Sequence, residues 1–84
     1  MLITLDPSST APIYEQIAAS IRGSIAAGDI AGGAELPATR TLAKALGVNM
    51  HTVLRAYGEL RDDGIIELRQ GRSARVVSGT AAEA

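Results

Sequence analysis

The side chains with chemistry to offer are Arg40, Lys44, Asn49, His51, Thr52, Arg55, Gln70 and Arg72, all from residue 40 onward in an 84-residue sequence. Guanidinium groups, amides and a hydroxyl at such spacing make hydrogen bonds to anions and to the edges of bases. They do not compose a proton-transfer centre: His51 is the one histidine, there is no cysteine, and no pair of carboxylates is placed to be buried together. A metal role for His51 lacks companion ligands. The sequence therefore reads as a binding protein and not an enzyme, with no cofactor, no metal and no small-molecule ligand expected.

Apolar spacing supplies the scaffold for those residues. Residues 36–60 read LPATRTLAKALGVNMHTVLRAYGEL. Leu42, Ala43 and Leu46 mark the inward side of a helix over 39–46, with Arg40 and Lys44 outward. Val53, Ala56, Tyr57 and Leu60 fall at i, i+3, i+4 and i+7, the inward face of a next helix that reaches about Asp63 and stops at Gly64. Between the two, Gly47 can take the positive φ that closes a helix, and Asn49 can cap the one that follows. A pair of helices joined so tightly is a helix-turn-helix, a device for placing a short second helix in the major groove of DNA.

Upstream, Ile13, Ile17, Ile21 and Ile25 recur every four residues, so a first helix runs from Pro12 through Ala27 and ends at Gly28. Residues 29–37 read as a loop with Leu36 tucked under the domain; Gly32 and Gly33 fit neither a P-loop nor a dinucleotide fingerprint. Residues 1–5 have the character of a short extra strand whose partner is the wing or a second protomer. Downstream, residues 65–69 and 74–77 are two strands around Gln70, Gly71, Arg72 and Ser73, a basic hairpin. The fold class is thus mainly α with a small β-hairpin. It is a winged helix-turn-helix of three helices plus a two-stranded wing over 12–77, preceded by an arm (1–11) and followed by a small polar tail (78–84) without a pattern for a second domain.

Composition agrees with a single small domain. Hydrophobic residues make up 46%, yet the aromatics are only Tyr14 and Tyr57, so the core must be built from Ile, Leu, Val and Ala. Formal net charge is −1, which hides an asymmetry. Residues 1–39 carry one Arg against four carboxylates, whereas residues 40–75 carry seven Lys or Arg against four. Phosphate contact depends on the local patch, so the basic half is the candidate binding half. The absence of cysteine and of a long apolar run point to a cytoplasmic protein with no membrane partner.

Several residues carry two readings. Asn49 is a helix cap and a phosphate or base contact. His51, outside the core face, is a solvated surface residue or a DNA contact. Thr52 adjoins Val53 and reaches a phosphate or caps locally. Arg55, one turn after His51, grips guanine O6 and N7, or else pairs with Glu59 at i+4. Arg72, beside Gly71 at the wing tip, enters the adjacent minor groove or is a solvated hairpin charge. Lys44, Arg69 and Arg75 serve general electrostatics.

These residues resemble the DNA-binding domain of the GntR family of bacterial transcription regulators. The resemblance is carried by Leu36-Pro37, Arg40, Leu42-Ala43, Leu46-Gly47-Val48, Asn49, Thr52-Val53, Ala56, Leu60, Asp63-Gly64 and Gln70-Gly71-Arg72. The opening Pro12-Ile13-Tyr14-Glu15-Gln16-Ile17 and the pair Ala56-Tyr57 are similar to the YtrA and MocR subgroups. The resemblance implies a basic DNA contact at Arg40 and a wing contact at Gln70, Gly71 and Arg72. Two positions depart from it: Ala38 stands where a capping Ser is usual, and Met50 where many members have Arg. Met50 then reads as an apolar contact facing the groove, as to a thymine methyl.

The expected function is a sequence-specific DNA-binding transcription regulator, a repressor, bound as a homodimer to a double-stranded operator of two half-sites. The competing expectation is a winged-helix module that binds protein and no DNA, which the near-neutral total charge and Met50 favour.

Overall fold

Three helices, α1 (Ile13–Ala26), α2 (Thr39–Leu46) and α3 (Met50–Asp62), precede a two-stranded antiparallel sheet of β1 (Ile66–Glu67) and β2 (Arg75–Val76). The computed structural model describes residues 3–68 and 74–77. Gln70, Gly71 and Arg72 of the expected wing tip, with Arg69 and Ser73, lie outside the described residues. In the sheet, Ile66 faces Val76 and Glu67 faces Arg75, so the buried side chains of both strands share one face.

The apolar spacing read from the sequence is the spacing that packs. Ile17, Ile21 and Ile25 of α1 meet Val53, Ala56, Tyr57 and Leu60 of α3, with Leu42 and Ala43 of α2 and Ile66 and Val76 of the sheet closing the core. Ile13, the first of the isoleucine series, is half-buried at the start of α1 and packs against the margin of the core. Leu36 is buried, as its tucked position required. No described charged side chain is buried, so the core is held chiefly by apolar contact.

Chain reversals are local and specific. After α2, Gly47 adopts φ 70°; its N–H and that of Val48 donate to the carbonyls of Lys44 and Ala43 at 3.3 and 3.0 Å. This is a Schellman closure, which needs a left-handed residue and so favours glycine. Gly64 ends α3 in the same way, with φ 76° and the Ile65 N–H bonded to the Leu60 carbonyl at 2.9 Å.

Two expectations for the strands are corrected. Residues 3–5 form no strand. Ile3 and Leu5 pack on the core instead, and the chain after them is held by Gln16. Its Oε1 accepts the Asp6 N–H at 2.7 Å, and its Nε2 donates to the carbonyls of Asp6 and Ala11 at 3.0 Å each. Ser8 donates to the Asp6 carboxylate through both its hydroxyl and its backbone N–H, which lowers the Asp6 carboxyl below its usual value. The second correction concerns residues 33–36. The supposed loop at 33–36 lies along the outer edge of β2: Gly33 and Leu36 donate to the Val76 and Ala74 carbonyls at 2.9 and 2.8 Å, and Val76 donates to Ala34 at 2.9 Å. Glu35 and Arg75 form the bridge. With β1 on one side and residues 33–36 on the other, both edges of β2 are occupied, and residues 3–5 do not add to it.

Candidate nucleic-acid interface

The outward side of α3 repeats the spacing of its inward side, shifted by two residues. Val53, Ala56, Tyr57 and Leu60 are buried, and the opposite series at i, i+3, i+4 and i+7 is His51, Leu54, Arg55 and Gly58. His51 and Arg55 are exposed, and Leu54 is the one large hydrophobic residue exposed among those described. Gly58 leaves the end of this ridge without a side chain.

The entry of α3 is fixed by Asn49, whose Oδ1 accepts the His51 N–H at 2.8 Å. The cap expected for Asn49 is therefore made, and it sets the direction in which His51 and Thr52 leave the turn. Thr52 is half-buried and its N–H bonds to the Asn49 carbonyl at 3.0 Å. Met50 departs from its expected outward role: it is half-buried and packs against the core. As the first residue of α3 it falls toward the inward side, and its flexible thioether fills the margin there.

At α2 the departure from Ser to Ala38 has a visible result. Ala38 makes no side-chain cap, and Thr39 does not replace it, so the first N–H groups of α2 have no side-chain acceptor. This end of α2 is held instead by Tyr57, whose hydroxyl donates to the Pro37 carbonyl at 2.7 Å. Burial pushes the Tyr57 phenol from 10.0 up to about 12. As pH rises the unfolded chain then loses this proton first. Tyr57 contributes its full stability below pH 10, and that contribution drains away between pH 10 and 12 by on the order of 2 kcal/mol. Tyr57→Phe should show a shallower alkaline fall in unfolding free energy and a loss of about 1 kcal/mol near neutrality. Parallel pH curves for the two proteins would refute the burial of an acidic phenol.

Ion pairing separates the cations into two groups. Arg22 of α1 pairs with Asp63 at the end of α3, Arg61 with Asp62 at 3.1 Å, and Arg75 with Glu35 at 3.3 Å. Arg40, Lys44 and Arg55 have no carboxylate partner among the described residues. Arg75, expected to serve general electrostatics, has Glu35 beside it at the surface. Arg55 does not pair with Glu59 as the helical spacing allowed. Its guanidinium carbon lies 4.0 Å from the centre of the Tyr14 ring, and its Nη2 donates to the Tyr14 hydroxyl at 3.3 Å. Ile13, Tyr14, His51, Thr52 and Arg55 together line an open cleft of about 300 Å³ between the starts of α1 and α3.

Of the nine residues expected at the interface, His51, Thr52 and Arg55 share this cleft, Asn49 caps their helix, and Arg40 stands exposed on α2. Met50 is turned partly inward. The three wing residues lie outside the described part. Tyr14 and Leu54 escaped sequence reasoning. The i, i+3, i+4, i+7 test that found the inward face of α3 would have found Leu54 on the outward one. No comparable local signal links Tyr14 to a residue 41 positions away.

Residues 13–76 match the family model for bacterial regulatory proteins of the gntR family. The chain belongs to the GntR family. It is 40% identical over 75 residues to the HTH-type transcriptional repressor YtrA of Bacillus subtilis (strain 168), covering 89% of this chain and 58% of that protein. The structure of YtrA from Sulfolobus acidocaldarius, a GntR-family transcription factor, is similar at a TM-score of 0.86 and 46% identity, over 90% of this chain and 65% of that one. AraR(DBD) in complex with operator ORX1 is similar at a TM-score of 0.78 and 29% identity, over 88% of this chain and 92% of that one. This chain accordingly spans less than two thirds of either YtrA relative. The winged helix-turn-helix expected of the GntR resemblance is the fold observed, with three helices and a two-stranded antiparallel sheet.

Proposed function

We propose that this GntR-family chain is a sequence-specific DNA-binding transcription regulator acting as a repressor, with α3 entering the major groove of an operator. The observation that carries the reading is the outward ridge of α3, where His51, Leu54 and Arg55 project from a helix fixed by the Gly47 turn and the Asn49 cap. Its arginine, like Arg40 and Lys44 of α2, has no carboxylate partner among the described residues, so these cations are available to phosphates or base edges. The similarity to AraR(DBD), a domain held in complex with an operator, supports the same docking here.

In this reading Arg40 contacts a phosphate, and the uncapped start of α2 offers its N–H groups to the same backbone. Asn49 and Thr52 position the entry of α3, His51 and Arg55 read base edges, and Leu54 meets a thymine methyl. Met50 supports the ridge from below. Gln70, Gly71 and Arg72 form the wing contact. Two copies occupy a two-half-site operator, since one such module reads only a few base pairs. The protein works where its operator is, in the cytoplasm on the chromosome.

A titration on duplex DNA at low and moderate salt tests this directly. Wild-type affinity should fall steeply with salt, and Arg40→Ala should reduce the slope of log affinity against log salt by about one unit while weakening every sequence alike. The same titration gives the number of copies per operator. Absence of binding at low salt would reject the regulator in favour of a protein-binding module. An unchanged slope would remove Arg40 from the interface.

A further inference from the structure

Tyr14 lies outside the helix-turn-helix, yet it is the residue that holds Arg55, an exposed cation of α3. We propose that Tyr14 is a positioning residue for Arg55, fixing its guanidinium at the mouth of the α1–α3 cleft before DNA arrives. The inference rests on the DNA-binding reading above and adds a residue to it.

Three observations converge on this role. The Arg55 guanidinium is stacked at 4.0 Å from the Tyr14 ring centre. Its Nη2 also donates to the Tyr14 hydroxyl at 3.3 Å, and that hydroxyl donates onward to Glu15 Oε1 at 3.4 Å, so the phenol is itself oriented. Both residues line the same cleft as His51 and Thr52, which places the held cation beside the other polar groups at the start of α3.

The physical consequence concerns ordering. A free arginine has several rotatable bonds, and immobilising it on a partner lowers affinity by the rotamer freedom that is lost. Stacked on Tyr14, Arg55 has lost part of that freedom in the unbound protein. The ring covers one face of the guanidinium, and the phenol accepts from Nη2. The remaining N–H donors are left for a base edge, where guanine O6 and N7 suit a planar fork. Ridge and cleft thus act together: α3 sets where Arg55 starts, and α1 sets where its charge ends.

The test is a double-mutant cycle on the full chain, using a duplex that the wild type selects from a random pool and a scrambled duplex of equal length. Tyr14→Leu keeps apolar bulk beside Ile13 but removes the aromatic face, and Tyr14→Phe keeps the face but removes the hydroxyl. Tyr14→Leu should weaken binding to the selected duplex about threefold to tenfold, with a smaller change on the scrambled one. In an Arg55→Ala background the same substitution should change affinity by less than about twofold, because the residue being positioned is gone. Tyr14→Phe should stay within about twofold of wild type, since the stack survives. In the DNA-free protein, NMR should show Arg55 side-chain protons displaced by the ring current and restored to ordinary positions by Tyr14→Leu. A loss that persists undiminished without Arg55, or a gain in affinity from Tyr14→Leu, would overturn the positioning role while leaving DNA binding intact. Failure of the wild type to bind any duplex would instead bring down the regulator reading and this inference with it.

Discussion

Leu60→Ala should lower the unfolding free energy by roughly 2 to 5 kcal/mol, the range for a leucine truncated in a core that cannot collapse around the gap. Leu60 is 0% exposed on the inward face of α3, in the core shared by α1, the sheet and Tyr57. A domain of this size is expected to hold only about 4 to 12 kcal/mol in total. The variant therefore loses a large share of it. The core has no disulfide to offset the loss, and no charged side chain is buried in it among the described residues. Urea titration should show a lower midpoint with an unchanged slope, as befits a change in stability and not in the surface exposed. Leu60 is directed away from the His51–Arg55 ridge, so the folded fraction should bind duplex DNA as the wild type does. A midpoint unmoved by the substitution would mean that α3 does not pack by the face assigned to it.

Legibility of the fold followed the range of the interactions that make it. The inward face of α3 and the isoleucine series of α1 were readable because helical period is a local property of sequence, and burial simply reports it. Gly47 and Gly64 were readable because few other residues accept the left-handed backbone at a helix end. The extra strand was misassigned for the opposite reason. Residues 33–36 bind β2 through backbone groups, and a Gly-Ala-Glu-Leu segment is too short, and too poor in β-branched side chains, to announce it. Residues 1–5 have the apolar, β-branched character of a strand, but Ile3 and Leu5 use it to pack onto the core.

The candidate site divides along the same line. Asn49 as cap and His51 as an exposed neighbour follow from position in the turn, within two residues of each other. Charge pairing did not follow. Arg22–Asp63, Arg75–Glu35 and Arg55–Tyr14 each join residues 40 or 41 positions apart, and spacing within one helix suggested only Glu59 as a neighbour for Arg55. Knowing which arginines are paired changes the functional argument more than their number does. It sets Arg75 beside a carboxylate and leaves Arg40, Lys44 and Arg55 without one among the described residues. Met50 shows a limit of another sort: helical phase put it at the border between inward and outward, where a flexible side chain can take either course and the core claims it.

Arg55→Ala should cost about 1 to 3 kcal/mol on the preferred operator and relax selection at one base pair, the signature of a lost bidentate contact to guanine. The expectation depends on where the guanidinium is held. A side chain that reached only phosphate would weaken all duplexes by one similar increment and lower the salt slope by about one unit, as Arg40→Ala should. Arg55 differs because it rises from the ridge that faces away from the core and is steadied by the Tyr14 ring 4.0 Å away. Arg55→Lys sharpens the distinction, since an ammonium keeps the charge but loses the planar fork. It should restore most of the affinity for random duplex and little of the selectivity. Comparing the sequences recovered from a random pool by wild type, Arg55→Ala and Arg55→Lys gives the decisive readout. If all three recover the same consensus, Arg55 contributes charge alone, and base reading must lie with His51 and Leu54 on the same ridge.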